Sequence, residues 1–286
     1  MNGILLVDKP SDWTSHDVVA KLRGVFGERR IGHAGTLDPM ATGLLVVFLG
    51  RATKAVAFAE AQEKRYIARL RLGVTTDTQD ITGNVLSQTE QHVTRAELEA
   101  ALGAFRGEIR QIPPMYSAIK VNGKRLYDVA RRGGEVEREA RPITIHRIAV
   151  IGSVDGDWLL DITCSKGTYI RTLCHDIGAA LGCGGTLAAL RRVSVGTYRV
   201  SEAHTVEHLA KLPREDAERL LMPTDSLFRA LPAVTLDAQQ ERLCRNGCAF
   251  PCSPPEGETR FYGADGAFLM LGMVENGVAN AIKRFF

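Results

Sequence analysis

The sequence predicts an α+β protein: a mixed or antiparallel central sheet flanked by helices, followed by a small C-terminal β domain. Three observations point there. Stretches that alternate polar and apolar residues, as half-buried strands do, are interleaved with stretches whose apolar residues recur at helical spacing. Tight-turn signals punctuate the chain, Asn-Gly at 122–123 between a strand and a helix and Asp-Gly at 155–156 between two strands. No βαβ period repeats along the 286 residues, as a doubly wound sheet would require.

The elements follow in order. GILLVD at 3–8 reads as a buried strand, and Ser15 as the cap of a helix carrying Val18, Val19, Leu22, Val25 and Phe26 until Gly27 ends it. Residues 29–43 (RRIGHAGTLDPMATG), with three glycines and an Asp-Pro step, predict an irregular but ordered connection into the apolar strand LLVVFLG. Lys64–Leu72 alternates as a half-buried strand, the turn-rich TTDTQDITG follows, and Asn84–Ser87 makes a further strand. Thr94 and Glu97 form a capping box ahead of Leu98, Leu102 and Phe105. PPMYSAIKVNGKRLYDVARRGG predicts a strand, an Asn-Gly turn and a basic helix. Strands at 142–151 and 157–165 precede a helix that aligns Ile170, Leu173, Ile177 and Leu181. Near Leu231 the texture changes to a short helix, glycines and short apolar runs, which divides the chain into a main domain, 1–230, and a terminal β domain, 231–286. So small a terminal unit has a marginal core and is expected to pack on the main domain.

Composition narrows the function. The longest apolar run, LLVVFL, is far too short to span a bilayer, and the opening residues lack a basic stretch before a long apolar one. A cytoplasmic protein with no membrane partner is expected. Six cysteines in a chain of this size predict free thiols rather than disulfides. Cys244, Cys248 and Cys252 are spaced C-x3-C-x3-C, but no second ligand cluster lies near them in sequence, so no metal is expected. The net charge of +3 is small, yet its distribution is uneven. Arg29, Arg30, Arg51, Lys54, Lys64, Arg65, Arg69, Arg71, Lys120, Lys124, Arg125, Arg131 and Arg132 crowd the first half, and acidic residues crowd 202–218. Such asymmetry suits phosphate contacts on one face.

Asp38 is an attractive nucleophile, since a glycine-rich loop at the mouth of a strand can hold a carboxylate rigidly and leave room for a ligand. An Asp before Pro is also an ordinary turn former. The wider string decides between them: GHAGTLDPMATGLL resembles the motif around the catalytic aspartate of the bacterial TruB-type tRNA pseudouridine-55 synthases. The resemblance continues, in that family's order, through DKP at 8–10, KRY at 64–66, PPMYSAIKVNGKRLY at 113–127, KGTYIRTL at 166–173 and Leu190, Arg191 and Arg192. Ala34 and Thr36 depart from the family pattern without removing a reactive group.

That resemblance implies a pseudouridine synthase fold with a PUA-like RNA-binding terminal domain. It also implies a cofactor-free isomerase acting as a monomer on the T-arm stem-loop of tRNA, with no obligatory protein partner. Asp38 would be the catalytic carboxylate, attacking the sugar, attacking the base or assisting glycal formation. Arg171 would sit beside it and lower its pKa. Tyr66 would stack on the target base and help remove the C5 proton. His33, Tyr169 and Leu190 would complete the pocket, with His33 filling the space left by the flipped uridine. Lys9 in DKP reads as structural. The basic segment from Tyr116 to Arg132 would bring Lys120, Lys124, Arg125, Arg131 and Arg132 to phosphates. A glycosidase using Asp77 or Asp80 with Asp38 is an alternative, although their turn-rich setting equally suits Asx turns. A second alternative is an RNA-binding folding helper that needs no turnover, and a guide-RNA ribonucleoprotein subunit is disfavoured by the short terminal domain and the lack of basic tails.

Overall fold

A computed structural model describes residues 1–117, 120, 121, 123–130, 133–253 and 256–286, excluding the side chains at 120, 121, 124 and 125. Its strands form a ten-stranded sheet ordered His204–Thr205, Gly3–Lys9, Thr42–Leu49, Gly185–Val195, Lys64–Leu72, Asp157–Cys164, Arg141–Val154 and Gly107–Gln111, with Ile31–Ala34 and Tyr198–Arg199 paired beside this path. Gly3–Lys9 runs parallel to His204–Thr205, and Thr42–Leu49 to Gly185–Val195, while the remaining pairs are antiparallel. The sheet is therefore mixed. Among the described residues no helix is long and apolar enough to cross a membrane.

The parallel seam matters most for function, because it brings Arg191 and Arg192 beside Thr42 and Gly43 at the exit of the Asp38 loop. Gly43 has φ +100°, and a Cβ there would strike the Arg192 backbone, so only glycine lets the two strands approach. On one side of the sheet Leu5, Val7 and Val47 meet the first helix through Val18, Leu22 and Phe26. Further along, Leu70, Leu160 and Ile162 pack against Leu173 and Ile177 of the helix Ile170–Ala180. That helix comes unusually close to Gly185–Val195, since a Cβ on Gly178 would collide with the backbone of Gly184 and Gly185.

Several expectations needed correction. Ser15 does not cap the first helix: Thr14 does, its hydroxyl accepting from the Asp17 amide while Asp17 reaches back to Thr14. Ser15 turns inward and clasps the loop instead, accepting from Leu37 N at 2.9 Å and donating to Leu37 O at 3.2 Å. The stretch 29–43 is not wholly irregular, as Ile31–Ala34 pairs antiparallel with Val46–Leu49. Gly185–Val195, which the sequence marked only at Leu190–Arg192, is a central strand. Asn84–Ser87 is realised as Val85–Gln88, paired with Val74–Thr76. The predicted capping box of Thr94 and Glu97 is present.

A five-stranded sheet, ordered Ala233–Thr235, Gly257–Tyr262, Phe268–Glu275, Val278–Arg284 and Phe250–Pro251, forms the terminal unit. Its Leu271 and Phe285 join Phe48 of the larger sheet and Phe228 of the 3-10 turn Thr224–Phe228 in one buried cluster, so the two sheets share apolar packing. Gly247 takes a left-handed conformation and ends the helix Ala238–Asn246 before Cys248. Cys244 is buried with Sγ 3.4 Å from Met270 Sδ, Cys252 is buried, and Cys248 is exposed.

Candidate active site

Asp38 sits in the turn before Thr42–Leu49, where the Ala41 amide donates to its carbonyl at 3.1 Å. The loop is fixed from three sides. Ser15 holds Leu37 as above, and Lys9, fully buried, donates from Nζ to the carbonyls of Pro10, Trp13 and Pro39 at 2.9, 2.6 and 3.1 Å. Arg192, also buried, donates from Nε to Leu44 O at 2.7 Å and from Nη2 to Gly35 O at 2.9 Å. Burial pushes the Lys9 ammonium down to about 8, with Asp38 pulling it the other way. Lys9 thus acts as a peg for the loop carrying Asp38.

The helix Ile170–Ala180 delivers Arg171 to the carboxylate. Its Nε lies 2.9 Å from Asp38 Oδ2 and its Nη2 donates to Oδ1 at 3.3 Å, a two-pronged contact that fixes the carboxylate plane. Arg171 is 5% exposed and Asp38 37%, so the guanidinium is buried while the carboxylate is partly open to solvent. The remaining donors are also occupied: Nη2 donates to Tyr116 O at 2.7 Å and Nη1 to Thr78 O at 3.0 Å, and Nη1 lies 3.5 Å from Asp80 Oδ2. Burial pushes the Asp38 carboxyl above its usual value, and Arg171, Asp80 and Lys9 modify that with opposite signs. Arg171 thus lowers the Asp38 pKa as expected, but desolvation outweighs it and the net shift is upward.

Asp80 is the feature the sequence left ambiguous. It is buried and accepts from Thr78 Oγ1, the Thr82 amide and Thr82 Oγ1 at 2.9, 3.0 and 2.5 Å through a single oxygen, leaving Oδ2 for Arg171. Asp77, by contrast, accepts from the Asn84 amide at 2.8 Å and its side chain at 3.0 Å, as an ordinary turn former does. An Asx turn and an inward-facing ion-pair acceptor look alike in sequence.

Tyr66 and Leu190 lie on adjacent strands and share one apolar cluster with Leu37 and Leu173. Burial pushes the Tyr66 hydroxyl above its usual value, with Arg192 pulling it the other way, so it is a phenol at neutral pH. Tyr169 occupies the residue just before the helix Ile170–Ala180, where Gln111 grips its backbone, accepting from its amide at 2.8 Å and donating to its carbonyl at 3.1 Å. His33 lies on Ile31–Ala34 with Nδ1 buried and without a hydrogen-bond partner; burial and then Arg192 push its imidazole down to about 4, so it is neutral at physiological pH. The side chains of Lys120, Lys124 and Arg125, and Arg131 and Arg132 entirely, lie outside the described residues. The backbone there forms a short hairpin, Lys120–Val121 with Lys124–Arg125, before the helix Leu126–Ala130.

Residues 23–170 match the model of the TruB family pseudouridylate synthase N-terminal domain, and 171–229 that of the tRNA pseudouridylate synthase B C-terminal domain. The chain belongs to the TruB family. It is 46% identical to the tRNA pseudouridine synthase B of Aromatoleum aromaticum, over 99% of this chain and 92% of that protein. With the enzyme of that name from Streptomyces griseus it shares 43% over 99% and 97% of the two chains. Solved structures carry the same fold: a Cbf5-Nop10-Gar1 complex matches with a TM-score of 0.75 at 25% identity, over 99% of this chain and 85% of the other. An H/ACA RNP bound to a substrate RNA containing 2′-deoxyuridine matches at 0.74 and 22%, with the same coverage. The TruB chain thus has the pseudouridine synthase fold, a mixed sheet flanked by helices, with a small PUA-like C-terminal β domain.

Proposed function

We infer that this TruB-family chain converts uridine to pseudouridine in tRNA, acting on the T-loop uridine at position 55, with Asp38 as its catalytic carboxylate. The observation that carries this reading is the two-pronged Asp38–Arg171 contact, opening to solvent on the Asp38 side, in a chain that matches tRNA pseudouridine synthases along nearly its whole length. The reaction breaks the bond from ribose C1′ to uracil N1, turns the base and joins C1′ to C5; C5 loses its proton and N1 gains one. All atoms of the base and sugar are conserved, so no group donor or redox partner is called for.

The residues divide the work. Asp38 must be ionised to act, whether at the sugar, at the base or through a glycal. Arg171 holds its plane and supplies the opposite charge in a site where desolvation opposes ionisation. Tyr66, as a neutral phenol, offers an aromatic face to the flipped uracil and a lone pair near its C5 proton. Leu190 and Tyr169 wall the base, and neutral His33 fills the stack left open, offsetting an unstacking cost of a few kcal/mol. Lys120, Lys124, Arg125, Arg131 and Arg132 meet phosphates. The division at 230/231, with a terminal unit that contacts RNA, and action as a cytoplasmic monomer belong to the same reading.

Mapping the product tests it. An unmodified tRNA transcript treated with the protein, then with carbodiimide, mild alkali and primer extension, should show one new stop, one nucleotide 3′ of position 55. Tight RNA binding with no stop would favour the folding-helper alternative.

A further inference from the structure

At the end of Thr42–Leu49 opposite the Asp38 loop, the chain enters the 3-10 turn Gly50–Ala55, which carries Arg51 and Lys54. An eight-residue strand spans about 25 Å. The Ile31 end of Ile31–Ala34 pairs with Leu49 and so adds Arg30 to this far end, where Arg30 Nε donates to Thr53 Oγ1 at 2.8 Å. From the terminal domain Lys283 and Arg284 line one shallow concavity with Lys54. Lys54 Nζ reaches across to donate to the main-chain oxygen of Phe286 at 3.0 Å.

These five cations come from both domains. Arg30, Arg51 and Lys283 are exposed, Lys54 and Arg284 half-buried. Among the described residues none of the five forms an ion pair with a carboxylate side chain, whereas Arg65, Arg69, Arg71, Arg147 and Arg191 on the main sheet all do. Burial first, and then the neighbouring Arg30, Arg51, Lys283 and Arg284, push the Lys54 ammonium down, as expected of cations that repel one another. A solvated face of a folded protein ordinarily intersperses both signs, and a like-charged cluster held by two domains is relieved by an anion.

We propose that Arg30, Arg51, Lys54, Lys283 and Arg284 form a second RNA surface, which takes backbone phosphates of a tRNA outside the T-arm stem-loop held at Asp38. The proposal rests on the tRNA reading above and adds a second place of contact. The separation of about 25 Å puts these cations beyond the flipped base and its immediate neighbours. Because both domains contribute, the docking of the terminal sheet on the main one assembles the surface.

The test compares two RNAs on the whole protein, a T-arm stem-loop and a full tRNA transcript, with wild type and the triple variant Arg51→Gln, Lys54→Gln, Lys283→Gln. The wild type should bind the full tRNA with a steeper salt dependence than the stem-loop. The variant should lose roughly tenfold or more in affinity for the full tRNA, with the slope of log K against log salt shallower by about one per phosphate contact removed. Its stem-loop affinity and stem-loop turnover should be unchanged. Equal weakening on both RNAs, or no change on either, would overturn the second surface. Absence of turnover by wild type on either RNA would instead overturn the tRNA reading itself, so the two failures are distinct.

Discussion

At the scale of single residues, Asp38 meets two opposing demands. In the proposed reaction it acts as a carboxylate, yet burial raises its pKa more than Arg171 lowers it. A carboxyl whose folded pKa lies above its unfolded one costs stability when ionised, and the cost disappears as pH falls through the folded pKa toward the ordinary value of 3.8. Asp38→Asn should therefore unfold at pH 7 no lower in temperature than wild type, with a rise of about 2–4 °C for each kcal/mol relieved. Thermal scans from pH 7 down to pH 4 would show the gap closing as wild-type Asp38 takes up its proton. Arg171→Lys keeps a cation but loses the planar fork that also serves Tyr116 O, Thr78 O and Asp80. Turnover should fall on the order of a hundredfold with RNA affinity retained, because a carboxylate misplaced by about 1 Å costs that much; single-turnover rates with saturating enzyme would measure it. The pairing of Asp38 with Arg171 was legible because both lie within contiguous motifs. Asp80 and Arg192 were not read in their positioning roles. Local spacing cannot say whether a turn-rich aspartate faces inward or whether an arginine is buried on backbone carbonyls.

At the scale of elements, the helix Ile170–Ala180 and the strand Gly185–Val195 decide where Arg171 sits. The helix was plain from its apolar stripe and the strand was not. Its pairing with Lys64–Leu72 shifts register between Leu187 and Ala189 and again between Arg192 and Ser194, which breaks the two-residue period that reveals a strand. The fully buried Arg192 also reads as surface in any hydropathy pattern. Helix and strand touch through Gly178 and Gly185, with no room for a methyl group. Gly178→Ala should push the helix off the strand, costing about 1–3 kcal/mol as overpacking does, and draw Arg171 away from Asp38. Chemical denaturation would record the first effect and single-turnover kinetics the second. The same swap at exposed Gly24 of the first helix, where a Cβ meets nothing within 4 Å, should cost neither.

At the scale of the whole molecule, the α+β class and the change of texture near Leu231 could be read from periodicity, but the strand order could not. The sheet places its first strand next to the second-half strand His204–Thr205, and Thr42–Leu49 beside Gly185–Val195, contacts that no local pattern specifies. Those long-range pairings bring the Asp38 loop, the Arg171 helix and the Tyr66 strand together over one buried cluster, and the shared cluster of Phe48, Phe228, Leu271 and Phe285 ties the terminal sheet to the main one. The central proposal is that this assembly holds Asp38 in a fixed orientation and aims it at a uridine. Tritium release from C5-labelled uridine in a T-arm stem-loop, with wild type and Asp38→Asn compared at equal fractions of bound RNA, tests it most directly. Release by wild type and none by Asp38→Asn is the predicted result; release by Asp38→Asn at a rate comparable to wild type would contradict it.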